Sequence, residues 1–425
     1  MALTQNLDRY GLKGTESAQE QHSSSHHPGT HGDLSNQSVW EPPLVRGVHR
    51  YIAGSLIKFH VLLIAVRKYL NPFSVHAVLK GLRILQRQYM GDHKIVKLFK
   101  MQGRYYWDMH APGWPSKAFV KYNAGEMNRI IQFRPIRDYL NSMIFAITKK
   151  CPLSCQHCYE WEVINNREKL TRNDLVSVVK KFQNRGKGVA QIQFSGGEPL
   201  SRYEDILHVL KKAKKDTDFW IVTSGYLLTL EKAKALKDAG LQGFAISLDH
   251  FDATIHNTFR GSKESYNWVM TAIRNAHLAD LAVILSLCVT KQFVSKENLM
   301  EYAGLAKRLG VSFILLIEPR AVGRYAGKDI GLTRAQEEVL EEFYLKLNFD
   351  KAYSAYPAVS YHGYHQRRVG CFGGTNRYVY VNTDGELQVC PFCQKSFGNV
   401  VSDVQQLRGT TPMNNGCKAF KEAVL

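Results

Sequence analysis

The chain is short of acid. Its 425 residues carry 37 Asp and Glu against 56 Lys and Arg, a formal net charge of +19. The deficit is uneven: between Glu41 and Lys100 eleven Lys and Arg face two acids, so that segment alone carries +9. Basic segments of this kind seek phosphate, of nucleic acid or of anionic lipid. A nucleic-acid partner is disfavoured, because the chain shows neither a recognition-helix pattern nor an aromatic RNA-binding motif. No signal peptide is visible either, since residues 1–37 are polar, rich in Ser, His and Gly, and lack an apolar core. The stretch Leu56 to Lys68 reads as too short and too charged to span a bilayer, which needs about 20 apolar residues. Cysteines number only eight, and seven of them fall into two groups at ligand-like spacing, which excludes a secreted disulfide scaffold. The expected compartment is a reducing cytoplasm, with peripheral contact at the inner membrane surface open to the basic segment.

What is present suits a globular protein of barrel size with appendages: 44% of residues are hydrophobic. Residues 1–38 read as a disordered tail, in which His22, His26, His27 and His31 are solvated rather than ligands. Residues 39–140 read as a basic, mostly helical extension. Two helices between Val48 and Met90 divide near Asn71-Pro72. In the second, Val75, Val78, Leu79, Leu82, Leu85 and Tyr89 share one face while Lys80, Arg83 and Arg87 point away. Two readings stand for this pair: docking on the main domain, or lying on an anionic membrane. The aromatic stretch Tyr105 to Pro115 is given no chemistry. From 141 to 330 the pattern becomes strand then helix, with strands at Ile144–Thr148, Ala190–Phe194, Phe219–Thr223, Gly243–Leu248, Val283–Val289 and Val311–Ile317. Thr171-x-x-Asp174 and Ser295-x-x-Asn298 are plausible helix starts, and Gly186, Gly240 and Gly310 plausible stops. Six such units make an α/β fold with a parallel sheet, open where a barrel of eight would close.

Cys151-Pro-Leu-Ser-Cys155-Gln-His-Cys158-Tyr159 follows the first strand, and Ser195-Gly196-Gly197-Glu198-Pro199-Leu200 follows the second. Three thiolates on one short loop can hold three corners of a cubane iron–sulfur cluster, leaving its fourth iron open. A closed zinc loop, the alternative, needs a fourth ligand that this loop does not supply. The two motifs, in this order and each at a strand end, resemble the radical S-adenosylmethionine (SAM) superfamily from about Met143 to Pro319.

The resemblance implies a partial (β/α)6 TIM barrel. It also implies a [4Fe-4S] cluster on Cys151, Cys155 and Cys158, with Tyr159 in the aromatic position. The amino and carboxylate groups of SAM would bind the open iron, and one electron would release a 5′-deoxyadenosyl radical that takes hydrogen from a substrate. The electron would come from an external donor such as flavodoxin or ferredoxin. Gly196, Gly197 and Glu198 then fall beside the methionine amino group. Thr223 and Ser224 stand where many relatives have Thr-Asn, Ser247 and Asp249 where the family reaches the ribose or carboxylate, and Arg260 near the SAM carboxylate. Arg320 and Arg324 are candidates for an anionic substrate group, and Cys288 for a buried apolar residue.

Cys371, Cys390, Cys393 and Cys417 form the second group. Tyr378 to Val389 reads as a β-hairpin that gathers the first three. Residues 331–425 thus resemble the small SPASM or twitch extension of radical SAM enzymes, with one auxiliary [4Fe-4S] cluster; a four-cysteine zinc site fits the same count. The substrate stays open among a peptide or protein side chain, a cofactor precursor and a membrane lipid. The rival function is a non-catalytic iron–sulfur or zinc protein binding nucleic acid or an anionic membrane.

Overall fold

The computed structural model describes residues 40–130, 140–373 and 377–402; the 1–38 segment with its four histidines, and Cys417, lie outside them. After the short strand β1 (Leu44–Val45) come α1 (Gly47–Tyr69) and α2 (Pro72–Met90). Their division falls at the expected place for a local reason. Pro72 occupies the start of the helix, where its missing N–H costs nothing, and the Asn71 side chain accepts from the Phe73 amide. Strands β2 (Leu98–Met101) and β3 (Arg104–Tyr106) then pair antiparallel beside β1, and α3 (Lys117–Ile130) follows. Helix α1 is longer than the run from Leu56 suggested. Its 23 residues have the length and composition to cross a membrane, contrary to the sequence reading. One side of it is packed on protein instead, Ile64 and Ala65 joining Val78, Phe119 and Met127.

All six expected strands form: β4 (Leu140–Ala146), β5 (Val189–Ser195), β6 (Asp218–Thr223), β7 (Leu241–Ser247), β8 (Ala282–Cys288) and β9 (Phe313–Ile317). Each pairs in parallel with the next. Between them run α4 (Arg172–Asn184), α5 (Tyr203–Lys212), α6 (Leu230–Ala239), α7 (Ala253–Arg260), α8 (Ser265–Leu278) and α9 (Lys296–Arg308). Thr171 and Asp174 close a capping box at the start of α4, and Ser295 accepts from the Asn298 amide at the start of α9. Gly240 ends α6 at φ 105°, a conformation that a side chain would strain.

The sheet continues past these six at both edges. After α10 (Arg334–Phe349), β10 (Ala358–Tyr361) adds in parallel to β9 and leads into α11 (His362–Val369). On the other edge β11 (Tyr378–Val381) adds in parallel to β4, and β12 (Glu386–Cys390) and β13 (Cys393–Asn399) follow antiparallel. The resulting order is β10-β9-β8-β7-β6-β5-β4-β11-β12-β13. The expected C-terminal hairpin is therefore built onto the edge of the barrel.

Side chains alternate across these strands. Phe194, Phe244, Ile246 and Leu285 belong to the core shared with the outer helices. Trp220, Ala282, Phe313 and Ala358 belong to a second core, with Phe99, Met101, Tyr106 and Met109 from the β2–β3 hairpin and the turn after it. These sheet residues lie at or near the beginnings of their strands, so the hairpin plugs the N-terminal end of the barrel. Phe99 is fully buried there, its ring 4.7 Å from that of Phe313, a burial that stabilises by about 1.5–3 kcal/mol. Chemistry is left to the C-terminal strand ends.

Candidate active site

The cysteine loop leaves the end of β4 and is held from three sides. Its Ser154 and Gln156 amides donate to the carbonyls of Arg260 and Phe259 at the end of α7 (3.2 and 3.0 Å). The Cys151 amide donates to the Asn165 side chain at 3.0 Å. Gly197 donates from its amide to the Thr148 carbonyl (2.8 Å), and Glu198 to that of Lys150 (2.7 Å). A Cβ on Gly197 would collide with the Lys150 carbonyl, and one on Gly261 with the Ser154 hydroxyl. Gly197 after β5 and Gly261 after α7 thus owe their lack of side chain to the approach of the cysteine loop itself.

Burial pushes the Cys151 thiol up to about 12 and the Cys158 thiol up to about 11, and raises Cys155 as well. Thiols in such a place become thiolates when iron supplies the compensating positive charge. Among the described residues, no three Cys, His, Asp or Glu side chains converge on a point fit for one ion. A cubane takes one sulfur on each of three irons, so it calls for no such single-ion point. The donor set fits the group: all sulfur, three in number, on one loop.

Glu198 sits at a hub. It is buried, and its four acceptor positions are filled by the Leu200 amide (3.0 Å), the Thr223 hydroxyl (2.6 Å), the Ser224 amide (2.8 Å) and the Ser224 hydroxyl (2.5 Å). Burial raises its pKa against the pull of these donors. The carboxylate binds the end of β5 to the end of β6. Ser224, the departure from the family's Asn, is spent on this bond.

Asp249, just past β7, and Arg260, closing α7, form a buried ion pair at 2.5 Å. The second Asp249 oxygen accepts from the Cys288 amide at 3.0 Å. Burial would lift the Asp249 carboxyl, but Arg260, then His157, hold it below the usual range. Arg260 also reaches the Cys155 sulfur at 3.7 Å, and Asp249 and Cys155 keep its guanidinium firmly charged despite burial. A fixed positive charge therefore lies against the middle cysteine. Ser247, half-buried, faces Ser286 across the β7–β8 register.

Tyr159 joins the loop to the C-terminal strands. Its hydroxyl lies 3.2 Å from that of Ser195, and its ring meets Tyr380 and Phe392 edge-on. Arg324 serves the loop too: its guanidinium donates to the Ser154 carbonyl at 2.5 Å and its amide to that of Cys158 at 3.0 Å. Arg324, a candidate for an anionic substrate group, is thus engaged by the cysteine loop, and Arg320, the other candidate, pairs with Glu318 at 3.2 Å.

Sequence reasoning missed one cluster. Asp108, His110 and His362 come together on the inner side of the barrel, with the Nε2 atoms of His110 and His362 at 2.7 Å and their rings 4.2 Å apart. Asp108 accepts from the His110 amide (2.7 Å) and the Ser360 hydroxyl (3.2 Å). Burial holds His110 down at about 4 and depresses His362 and nearby His365 as well. Both histidines of the pair are half-buried. The only signal was Asp-Met-His in the aromatic stretch, 252 residues from His362.

At the far edge, Cys390 and Cys393 face each other across β12 and β13, and the Cys393 amide donates to the Cys390 sulfur at 3.2 Å. Hydrogen bonding from Cys393 lowers the Cys390 thiol. Burial of the Tyr378 hydroxyl, reinforced by Cys390, Cys371 and Cys393 around it, raises its pKa.

Residues 145–306 match the Radical SAM superfamily. The chain is 28% identical over 290 residues to an AdoMet-dependent heme synthase of Nitratidesulfovibrio vulgaris, covering 60% of this chain and 75% of that protein. It is 31% identical over 191 residues to a GTP 3′,8-cyclase of Aliarcobacter butzleri, covering 43% of this chain and 56% of that protein. Streptococcus suis SuiB bound to its precursor peptide SuiA shares the fold, with a TM-score of 0.53 and 13% identity over 67% of this chain and 69% of that one. A structure of anSMEcpe with bound AdoMet does likewise, at a TM-score of 0.51 and 18% identity over 64% and 80%. Motif, fold and matched segment agree that residues 145–306 form a radical SAM domain, of the superfamily whose enzymes work with a [4Fe-4S] cluster and S-adenosylmethionine.

Proposed function

We propose that Cys151, Cys155 and Cys158 hold the cluster and that SAM completes the shell of its open iron. The observation that carries this is the loop itself: three thiols, Cys155 buried and Cys151 and Cys158 half-buried, clamped by Gly197 and Gly261, with the Arg260 guanidinium facing Cys155. When bound, the pair of cofactors supplies a 5′-deoxyadenosyl radical that takes a hydrogen atom from substrate. The protein's part is to position and to exclude water. Gly196 and Gly197 bring backbone close to the methionine end of SAM. Glu198 holds Thr223 and Ser224 in place for it rather than meeting it, since its own acceptors are all engaged. Ser247, Asp249 and Arg260 bound the ribose and carboxylate side, and Tyr159 closes the loop toward β11.

The substrate lies on the C-terminal side of the sheet, where the cysteine loop and the Gly-Gly-Glu segment sit. A cofactor precursor fits best among the substrate classes, because two of the relatives are named as a heme synthase and a GTP cyclase, reactions on small molecules. The electron comes from a flavodoxin or ferredoxin in a reducing cytoplasm. Cys371, Cys390 and Cys393, with Cys417, hold an auxiliary cluster beside the barrel. The test is anaerobic reconstitution followed by SAM and a strong reductant. The wild-type protein forms 5′-deoxyadenosine, and a folded Cys155→Ala variant does not. Reconstituted wild-type protein that binds about four irons or more and still forms none would end this reading.

A further inference from the structure

Helix α1 turns one apolar face to solvent. Val48, Ile52, Leu56, Phe59, Leu62 and Val66 follow one another at steps of three and four residues, so they lie along a single stripe. They are exposed, Val48 by 76% and Phe59 by 57%. Leu70 and Phe73, at the junction with α2, extend the stripe and are 84% and 87% exposed. The opposite side of the helix is occupied, with Ala53, Ile64 and Ala65 buried against protein. A continuous apolar strip of this length on a polar surface marks an interaction site.

Charge identifies what covers it. Neither α1 nor α2 contains a single Asp or Glu. Lys58 and Arg67 flank the stripe on its two sides and both are exposed. A second copy of the chain would bring these same cations face to face across an apolar seam. The 1–38 segment is mostly polar, and its six large apolar residues, Met1, Leu3, Leu7, Tyr10, Leu12 and Leu34, are fewer than the eight along the stripe. An anionic lipid surface answers both features, taking the apolar residues below its headgroups and the cations among them. Spanning does not suit the packing. At 1.5 Å per residue the 23-residue helix is about 34 Å long, enough to cross, but its buried side is held by α2 and α3.

We propose that α1 lies in the plane of an anionic membrane, its exposed stripe inserted at the headgroup boundary, so that the barrel is held at the membrane surface. This goes beyond the radical chemistry and does not depend on it. Flotation of the whole protein with phosphatidylcholine vesicles, with and without phosphatidylglycerol, tests it. Wild-type protein floats with the anionic vesicles and less with the neutral ones, and added salt weakens that preference. Leu56→Gln/Phe59→Gln/Leu62→Gln, a triple change on the exposed stripe, lowers partitioning on the order of a hundredfold with an unchanged melting curve. Lys58→Glu/Arg67→Glu removes the preference for anionic lipid. The proposal is overturned if the wild-type protein stays with the unfloated fraction, or if the triple variant floats as well as wild type. It is equally overturned if the triple change only converts an oligomer to a monomer without altering flotation.

Discussion

Replacing Asp249 by Asn tests how the site is held together. The pair it makes with Arg260 is 2.5 Å long, and the two side chains are only 3% and 10% exposed. Removing one partner of a buried pair leaves the other charge stranded, which costs about 3–5 kcal/mol. Asn keeps an oxygen that accepts from the Cys288 amide, so the cost falls near the lower end, about 3 kcal/mol. In unfolding by heat that corresponds to a shift on the order of 5 °C for a chain of this size. The geometry predicts a further dependence. Arg260 also faces Cys155, so thiolates bound to iron give the stranded guanidinium a second counter-charge, and the shift is smaller in cluster-loaded than in cluster-free protein. The Asp249→Asn/Arg260→Gln double variant recovers part of the loss, with a coupling of about 1–3 kcal/mol. A shift under about 1 kcal/mol in the cluster-free protein, or strictly additive losses in the double variant, would refute the reasoning.

Three other outcomes are expected. Gly197→Ala forces its Cβ into the Lys150 carbonyl, so the loop must move; iron content after reconstitution falls while the far-ultraviolet circular dichroism stays that of wild type. Cys390→Ala/Cys393→Ala lowers iron from about eight per chain to about four while 5′-deoxyadenosine formation persists; loss of both would place these cysteines in the primary site. Stability falls with acid. His110, His362 and His365 are held neutral by burial, with His110 at about 4 against an ordinary value near 6.5. The unfolded chain therefore binds more protons between about pH 6.5 and 4, and each such histidine removes up to about 1.4 kcal/mol per pH unit there. Denaturant midpoints that stay flat across that window in wild type, or that fall as steeply in His110→Gln/His362→Gln, would contradict this.

The parts of the fold that announce themselves locally were legible. Parallel strands buried on both faces must be apolar runs, so β4 to β9 stood out, and the capping residues Thr171, Ser295 and Gly240 act within a turn of where they sit. The cysteine and Gly-Gly-Glu segments were legible because their chemistry demands fixed residues at fixed spacing. What could not be read depends on distant chain segments meeting. Four residues, Ala358 to Tyr361, become a barrel strand only because β9 offers an edge. The β2–β3 hairpin fills the barrel through Phe99 and Met101, a role no local period encodes. His110 gains its partner from α11, and Arg324 is claimed by carbonyls of a loop about 170 residues earlier. The free face of α1 needed the structure as well, since sequence alone gives an apolar helix without saying which side is already covered.

The central claim is an iron–sulfur cluster with one iron left for SAM. It is tested most directly by electron paramagnetic resonance of the reduced Cys390→Ala/Cys393→Ala protein, recorded before and after SAM is added. The account predicts a cluster signal whose g-values shift on SAM addition and which is absent from the same protein carrying Cys155→Ala. A cluster signal indifferent to SAM, or one that survives the loss of Cys155, would contradict it.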